Sequence, residues 1–336
     1  MTWRRTGRAA HLVTDRLADS ALPDLDVTPD VGESVLDSAS RLPAVLENLR
    51  AVSSEDEERL ARLTRECVDD VISAFGLGGV GRGRAILEAL SRIPARRLAR
   101  EVLTYDTIVG RSGLGTGGAW ALKKLSRDAM TEGQDNVPRG GPLLLVSNHP
   151  GLADAVALFA ATPRDDLRVI AADRPILDAL PNTSRYLLTV AQSSAGRSGV
   201  VRSAARHLRG GGAVLTFPGG RIEPDPAVLP GAVEALDLWS SSADLFARLA
   251  PGLAIVPVVV SGVISPSALR VPLTRLRRHE RDREWLAATL QMLTPALRNV
   301  DVRVQFGRPI YAEPGAGVGK SVIGEVRRLM QNGETM

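Results

Sequence analysis

Two hydrophobic rhythms divide this chain. Between residues 33 and 130 apolar side chains recur every three or four positions, as in Leu42, Val45, Leu46 and Leu49 and again in Leu60, Leu63, Cys67, Val71 and Phe75, with Arg and Glu between them. That spacing gathers the apolar residues on one face and predicts amphipathic helices. From residue 131 onward the rhythm changes to short β-branched runs alternating with helical stretches. The runs predict strands over 143–146, 167–171, 213–217, 255–260 and 302–306, and the stretches between them predict helices over 154–161, 200–208 and 231–238. This alternation predicts an α/β fold, a mostly parallel central sheet flanked by helices, preceded by a helical N-terminal region. Residues 1–32, rich in Asp, Pro and Ser, read as a poorly ordered arm. The expected organisation is an arm over 1–32, a helical region over 33–130 and an α/β domain over 131–336.

Composition narrows the classes. With 336 residues, 44% hydrophobic and 24% charged, the chain has ample material for a core and is not a disordered one. Its single cysteine, Cys67, can form no internal disulfide and no cysteine-based zinc site, so a reducing intracellular compartment and a core role for Cys67 are expected. No apolar run reaches the length of a spanning helix, and Met1-Thr2-Trp3-Arg4-Arg5 is followed by His11, Asp15, Arg16 and Asp19 rather than by the apolar stretch of a signal peptide. The expected location is the cytoplasm, free or peripheral on the inner face of the membrane. The 42 basic residues against 38 acidic give +4, and only Lys123, Lys124 and Lys320 are lysines, so the charge is carried by arginine. Arginine is a fork-shaped donor suited to phosphate and carboxylate. Only 4% of residues are aromatic and no basic stripe carries stacking residues, so nucleic acid is not an expected partner.

Three glycine-rich segments imitate nucleotide sites. Gly76 to Gly81 and Gly113 to Gly118 have the spacing G-x-G-x-x-G, but with 32 glycines about 0.3 such matches arise by chance. The first follows a helical stretch, and neither opens a strand-turn-helix unit with an acidic residue at the end of a second strand. Both read as interhelical turns. Gly315 to Ser321 resembles a phosphate loop whose first glycine is Pro314, and reads as a turn into a C-terminal helix from about Ser321.

The segment richest in chemistry is Leu143-Leu144-Leu145-Val146-Ser147-Asn148-His149-Pro150-Gly151-Leu152-Ala153-Asp154. A buried strand runs into a turn bearing His149, and Pro150 can open the next helix, where its missing N–H costs nothing. Five residues advance about 500° on a helix, so His149 and Asp154 meet only if His149 precedes the helix and Asp154 leans back toward its N-terminus. A carboxylate placed there would fix the imidazole tautomer and stabilise the imidazolium formed when a proton is accepted. The plain alternative is a histidine at a helix entrance with an aspartate in the first turns for dipole reasons.

Some seventy residues on, Gly210-Gly211-Gly212-Ala213-Val214-Leu215-Thr216-Phe217-Pro218-Gly219-Gly220-Arg221 reads as a turn, a strand and a Gly-Gly-Arg exit. Glycines let backbone N–H groups approach a ligand oxygen, and Arg221 adds a bidentate donor; taken alone, Pro-Gly-Gly is a turn.

Together these segments resemble the PlsC-like glycerolipid acyltransferases, the family that acylates glycerol-3-phosphate or lysophosphatidic acid. Its first motif, N-H-x4-D, is similar to Asn148, His149 and Asp154. Its third, Phe-Pro-Glu-Gly followed by an arginine, resembles Phe217-Pro218-Gly219-Gly220-Arg221, with Gly219 where the family has glutamate and the arginine one place early. Glu223 is the nearby carboxylate that would replace it. The fourth, an apolar strand with a proline, resembles Ile255-Val256-Pro257-Val258, and the second, an arginine near a strand end, is faintly similar to Arg197. The resemblance covers about residues 130 to 310.

It implies transfer of a fatty acyl group from an acyl thioester, on coenzyme A or an acyl carrier protein, to a hydroxyl of a lysophospholipid or glycerol-phosphate acceptor. His149 would be the general base and Asp154 its orienter. Asn148, Arg197, Phe217, Pro218, Gly219, Gly220, Arg221, Glu223 and Pro257 are then the expected substrate-binding residues. No metal and no cofactor beyond the thioester co-substrate is expected. An anionic membrane surface is a further expected partner, met by Arg270, Arg275, Arg277, Arg278, Arg281 and Arg283 beside Leu273, Leu276 and Trp285; the same arginines next to Glu280 and Asp282 also read as a salt-bridged helix. Two alternatives stand beside this reading: a catalytically inactive lipid- or acyl-carrier-binding protein on the same fold, and a nucleotide-dependent oxidoreductase.

Overall fold

A computed structural model of the chain describes residues 54–78, 81–190, 194–312 and 317–333. The expected arm over 1–32 and the apolar set Leu42 to Leu49 lie outside these residues. Helix α1 (Ser54–Ala74) buries Leu60, Leu63, Cys67 and Val71, the face its spacing dictates. Burial, with the charges of Asp70 and Glu66, pushes the Cys67 thiol up to about 12, as suits a core residue.

Helix α2 (Gly81–Leu125) is interrupted at Gly113, whose φ of 83° belongs to the left-handed region that glycine tolerates. Its second half holds the glycine run that imitates a nucleotide loop. Gly113 makes the break between two helical segments, whereas Gly115, Gly117 and Gly118 are helical rather than turn residues. A Cβ on Gly118 would lie 2.7 Å from the Val156 carbonyl oxygen and 2.8 Å from Cβ of Phe159, so the missing side chains let α2 lie directly against α3 (Leu152–Ala161).

An eight-stranded sheet follows, comprising β1 (Asp128–Glu132), β2 (Leu143–Ser147), β3 (Leu167–Ala172), β4 (Leu187–Val190), β5 (Ala213–Thr216), β6 (Ala254–Ser261), β7 (Asp301–Phe306) and β8 (Ile310–Tyr311). The order is β1-β7-β6-β2-β5-β3-β4, with β8 also on β6. Every pairing is parallel except those of β6 with β7 and with β8. The mostly parallel α/β architecture is thus present, and β1, β4 and β8 are strands beyond the five expected. The expected boundary at residues 130 and 131 falls inside β1, and the core runs across it: Ile108, Val109 and Leu122 of α2 pack in one cluster with Leu143, Leu145, Val256 and Val258.

Side chains alternate across the central strand. Leu143 and Leu145 face α2 and α3. Leu144 and Val146 face α4 (Ser194–Arg209), α5 (Ser242–Leu249) and α7 (Gly319–Gly333) through Leu208, Phe246 and Val322. Helix α6 (Glu280–Leu293) adds buried Leu286 and Ala287. A strand apolar on both faces must lie at the centre of such a sheet. Because β2, β5 and β6 are parallel neighbours, the loops after Ser147, Thr216 and Ser261 emerge together at one edge, the usual place for a site in an open α/β sheet.

Candidate active site

His149 leaves β2 on the loop before α3, and Asp154 sits in the first turn of that helix. Asp154 is fully buried, and its Oδ2 lies 2.7 Å from His149 Nδ1. The same oxygen accepts the Gly151 N–H at 3.0 Å, and Oδ1 accepts the Ala155 N–H at 2.6 Å. The carboxylate therefore caps the helix and holds the imidazole with one group. A carboxylate can only accept, so Nδ1 donates, and in the neutral ring Nε2 carries the lone pair. No described residue bonds Nε2, and the side chain keeps 27% of its surface exposed. Burial works to lower the His149 pKa, but the Asp154 hydrogen bond and charge, with the charge of Glu223, outweigh it and the opposing Arg174, leaving the group above its ordinary value.

The loop after β5 closes over this pair. The half-buried Phe217 ring lies 4.5 Å from the imidazole, centroid to centroid, tilted by 30°. Pro218 is buried, and its carbonyl accepts the Ser240 N–H at 3.1 Å. Gly220, at φ 61°, donates to the Phe217 carbonyl at 3.0 Å, so its N–H closes the turn and is not offered to a ligand as expected. Arg221 is exposed at the tip, and no salt bridge holds it among the described residues.

Three of the expected substrate-binding residues are buried and bonded within the protein. Asn148 is 1% exposed: its Nδ2 donates to the Val260 carbonyl at 2.9 Å and its Oδ1 accepts the Val260 N–H at 2.8 Å. It ties the His149 loop to β6. Glu223, 5% exposed, accepts the His149 N–H at 2.8 Å and the Trp239 indole N–H at 2.6 Å. Burial raises its pKa against the pull of these donors and of His149 and Arg221. Pro257 is buried inside β6, beside Val146. Its carbonyl accepts the Gly307 N–H at 2.8 Å, so its nitrogen faces the same side, where β7 has ended and β8 has not begun. A proline fits a central strand only at such a gap in the ladder. Arg197 falls in the first turn of α4, near the carboxyl end of β4, and its side chain is outside the described residues.

Two residues that the sequence reading passed over complete the site. Asp225, fully buried, accepts the N–H groups of Gly262, Val263 and Ile264 at 2.7–3.0 Å and so binds the loop after β5 to the loop after β6. Arg174, exposed after β3 at the same sheet edge, is near enough for its charge to oppose protonation of His149. The spacing Glu223-Pro224-Asp225 is a visible signal; Arg174 has none among so many arginines.

Residues 129–261, which run from β1 to the end of β6 and hold the loops that carry His149 and Phe217, match the model of the acyltransferase family. The chain carries an acyltransferase domain. The match supports acyl transfer, and not the oxidoreductase alternative, as the chemistry to which the site belongs. Among solved structures, the domain and its surroundings are similar to the 1-acyl-sn-glycerophosphate (LPA) acyltransferase PlsC from Thermotoga maritima, at 15% identity and a TM-score of 0.40, over 83% of this chain and 98% of that one. No curated protein matches the chain.

Proposed function

We propose that this acyltransferase domain moves a fatty acyl group from an acyl thioester to a hydroxyl of a lysophospholipid or glycerol-phosphate acceptor, with His149 as general base and Asp154 as its orienter. The observation that carries the reading is the 2.7 Å contact of His149 Nδ1 with a fully buried carboxylate, which leaves Nε2 unbonded beside Phe217 at the sheet edge. The acceptor hydroxyl gives its proton to Nε2 as its oxygen bonds the thioester carbon. The C–S bond then breaks, and the proton passes to the departing thiolate, whether coenzyme A or a carrier-protein thiol. A thioester is already activated, so the protein's share is to place the two reactants and move the proton, a base typically contributing about 10²–10⁴-fold. No further cofactor enters this scheme.

Arg221 and Arg174, both exposed on loops at the end of the sheet that bears His149, would hold an acceptor phosphate. The cytoplasmic face of a membrane is the proposed place of work. No helix among the described residues is long and apolar enough to cross a membrane, so the lipid would be met at a surface. Leu273, Leu276 and Trp285 are exposed beside exposed Arg270, Arg275, Arg278, Arg281 and Arg283, a combination suited to anionic headgroups. Arg277 is taken out of this set by its ion pair with Asp282 at 2.8 Å.

The test is thiol release from palmitoyl-coenzyme A with lysophosphatidic acid, and from a palmitoyl carrier protein in parallel. Acceptor-dependent release that disappears in His149→Ala is expected. A wild-type protein that binds acyl donor but releases no thiol with any hydroxyl acceptor would establish the inactive binding protein instead, the reading for which Gly219 in the third motif speaks.

A further inference from the structure

Gly219 does not need to be glycine for its backbone, since its φ lies outside the left-handed region. The reason lies in what occupies its side-chain space. A Cβ at 219 would fall 2.9 Å from Cδ of Glu223 and 3.5 Å from its Cγ, with Oε1 nearer still. The Glu223 carboxylate thus stands where a side chain of residue 219 would begin. It is pinned there by the His149 N–H on Oε2 and the Trp239 indole on Oε1, and the Glu223 N–H returns the link by donating to the His149 carbonyl at 2.8 Å. His149 is consequently gripped on both its main-chain groups by one residue.

We propose that Glu223 is a positioning residue for His149, supplying from four places further along the chain the carboxylate that the Phe-Pro-Gly-Gly turn lacks at Gly219. Glu223 reaches no reacting atom; it acts through the placement and the electrostatic surroundings of the imidazole. The inference rests on the acyl-transfer reading for its kinetic consequence, while its structural content can be read without turnover. It also alters the meaning of the departure from the family pattern: the glycine marks a carboxylate that has moved.

A reciprocal exchange tests it. The Cβ position of residue 219 nearly coincides with the carboxylate, so the shortest acid is the one that fits. Glu223→Ala is expected to lower kcat/KM about 10–100-fold, and Gly219→Asp alone to lower it comparably because two carboxylates compete for one space; Gly219→Asp with Glu223→Ala should regain about tenfold or more over Glu223→Ala, the coupling expected of residues in contact. Losses that simply add would overturn the proposal. The same four proteins compared by thermal unfolding report the coupling even if no acyl transfer is found, so failure of the reaction and failure of the placement are distinct results. Should Glu223→Ala fail to fold, Glu223→Gln keeps the shape and removes the charge. The groups facing His149 are Asp154 from α3, Glu223 and Arg174, so Glu223→Gln should lower the His149 imidazole pKa followed by NMR. An unshifted titration would count against the proposal.

Discussion

One oxygen of Asp154 serves both His149 and Gly151: Oδ2 accepts from the imidazole at 2.7 Å and from the Gly151 N–H at 3.0 Å. Helix entry and tautomer are therefore fixed by the same charge. Asp154→Asn keeps the volume but offers the imidazole a different partner, so the ring can turn or change tautomer. We expect kcat to fall about 10²–10⁴-fold, as when an orienting carboxylate is lost from a base, with a loss of about 1 kcal/mol in stability from the weakened cap. Steady-state kinetics and urea unfolding of the same preparation separate the two effects.

The raised His149 pKa predicts the pH dependence of the reaction. The base must be neutral, so kcat/KM should rise with pH through an apparent value above the ordinary 6.5. In Asp154→Asn the main raising influence is gone while burial remains, and the limb should move to lower pH. Stability runs the other way. A native pKa above the unfolded one adds stability that is fully present below 6.5 and is lost as pH rises through the native value. The difference in unfolding free energy between wild type and His149→Ala should accordingly shrink from acid to mildly alkaline pH. A difference that grows over that range would contradict the assignment.

Asn148 predicts a structural phenotype where its motif suggests a ligand contact. Truncation to Ala strands the N–H and C=O of Val260 in a fully buried strand. Each orphan costs about 1–3 kcal/mol, so a loss of about 2–6 kcal/mol is expected. Asn148→Asp should be no rescue, because it turns a carboxylate oxygen toward the Val260 carbonyl. Calorimetry on the three proteins decides this, and a KM effect without a Tm effect would restore Asn148 to the substrate.

The same residues show what a sequence discloses. The central strands were legible because Leu143 to Val146 and Ile255 to Val260 are apolar on both faces, which is what burial in a parallel sheet requires. Strand β1 was not: Asp128 to Met130 are exposed, the strand lies at the sheet edge, and its pairing with β7 is made by backbone rather than by side-chain pattern. β8 is two residues long and carries no period at all. At the site, His149 and Asp154 could be paired because a helix entrance constrains both. The inward turn of Asn148 and Pro257 could not be read, since Asn148 answers to Val260, 112 residues away, and Pro257 to the gap between β7 and β8. Gly115 and Gly118 show the reverse error: within a spacing that suggests a loop they form a packing seam against Phe159, and only the neighbour reveals it.

Arg221 is the residue through which the acceptor class can be tested. It is exposed at the tip of the turn whose base carries Phe217 against His149, while Asn148 and Glu223 spend their polar atoms on Val260, His149 and Trp239. A charge-assisted hydrogen bond from a guanidinium to phosphate is worth about 1.5–3 kcal/mol, or roughly 10–100-fold in binding. Arg221→Gln should therefore raise KM for a phosphate-bearing acceptor by about that factor, leaving KM for the thioester and the pH limb of His149 unchanged. With a monoacylglycerol, which lacks the phosphate, wild type and variant should react alike. A penalty of equal size with both acceptors would mean that Arg221 supports the turn itself, and would pass the phosphate to Arg174.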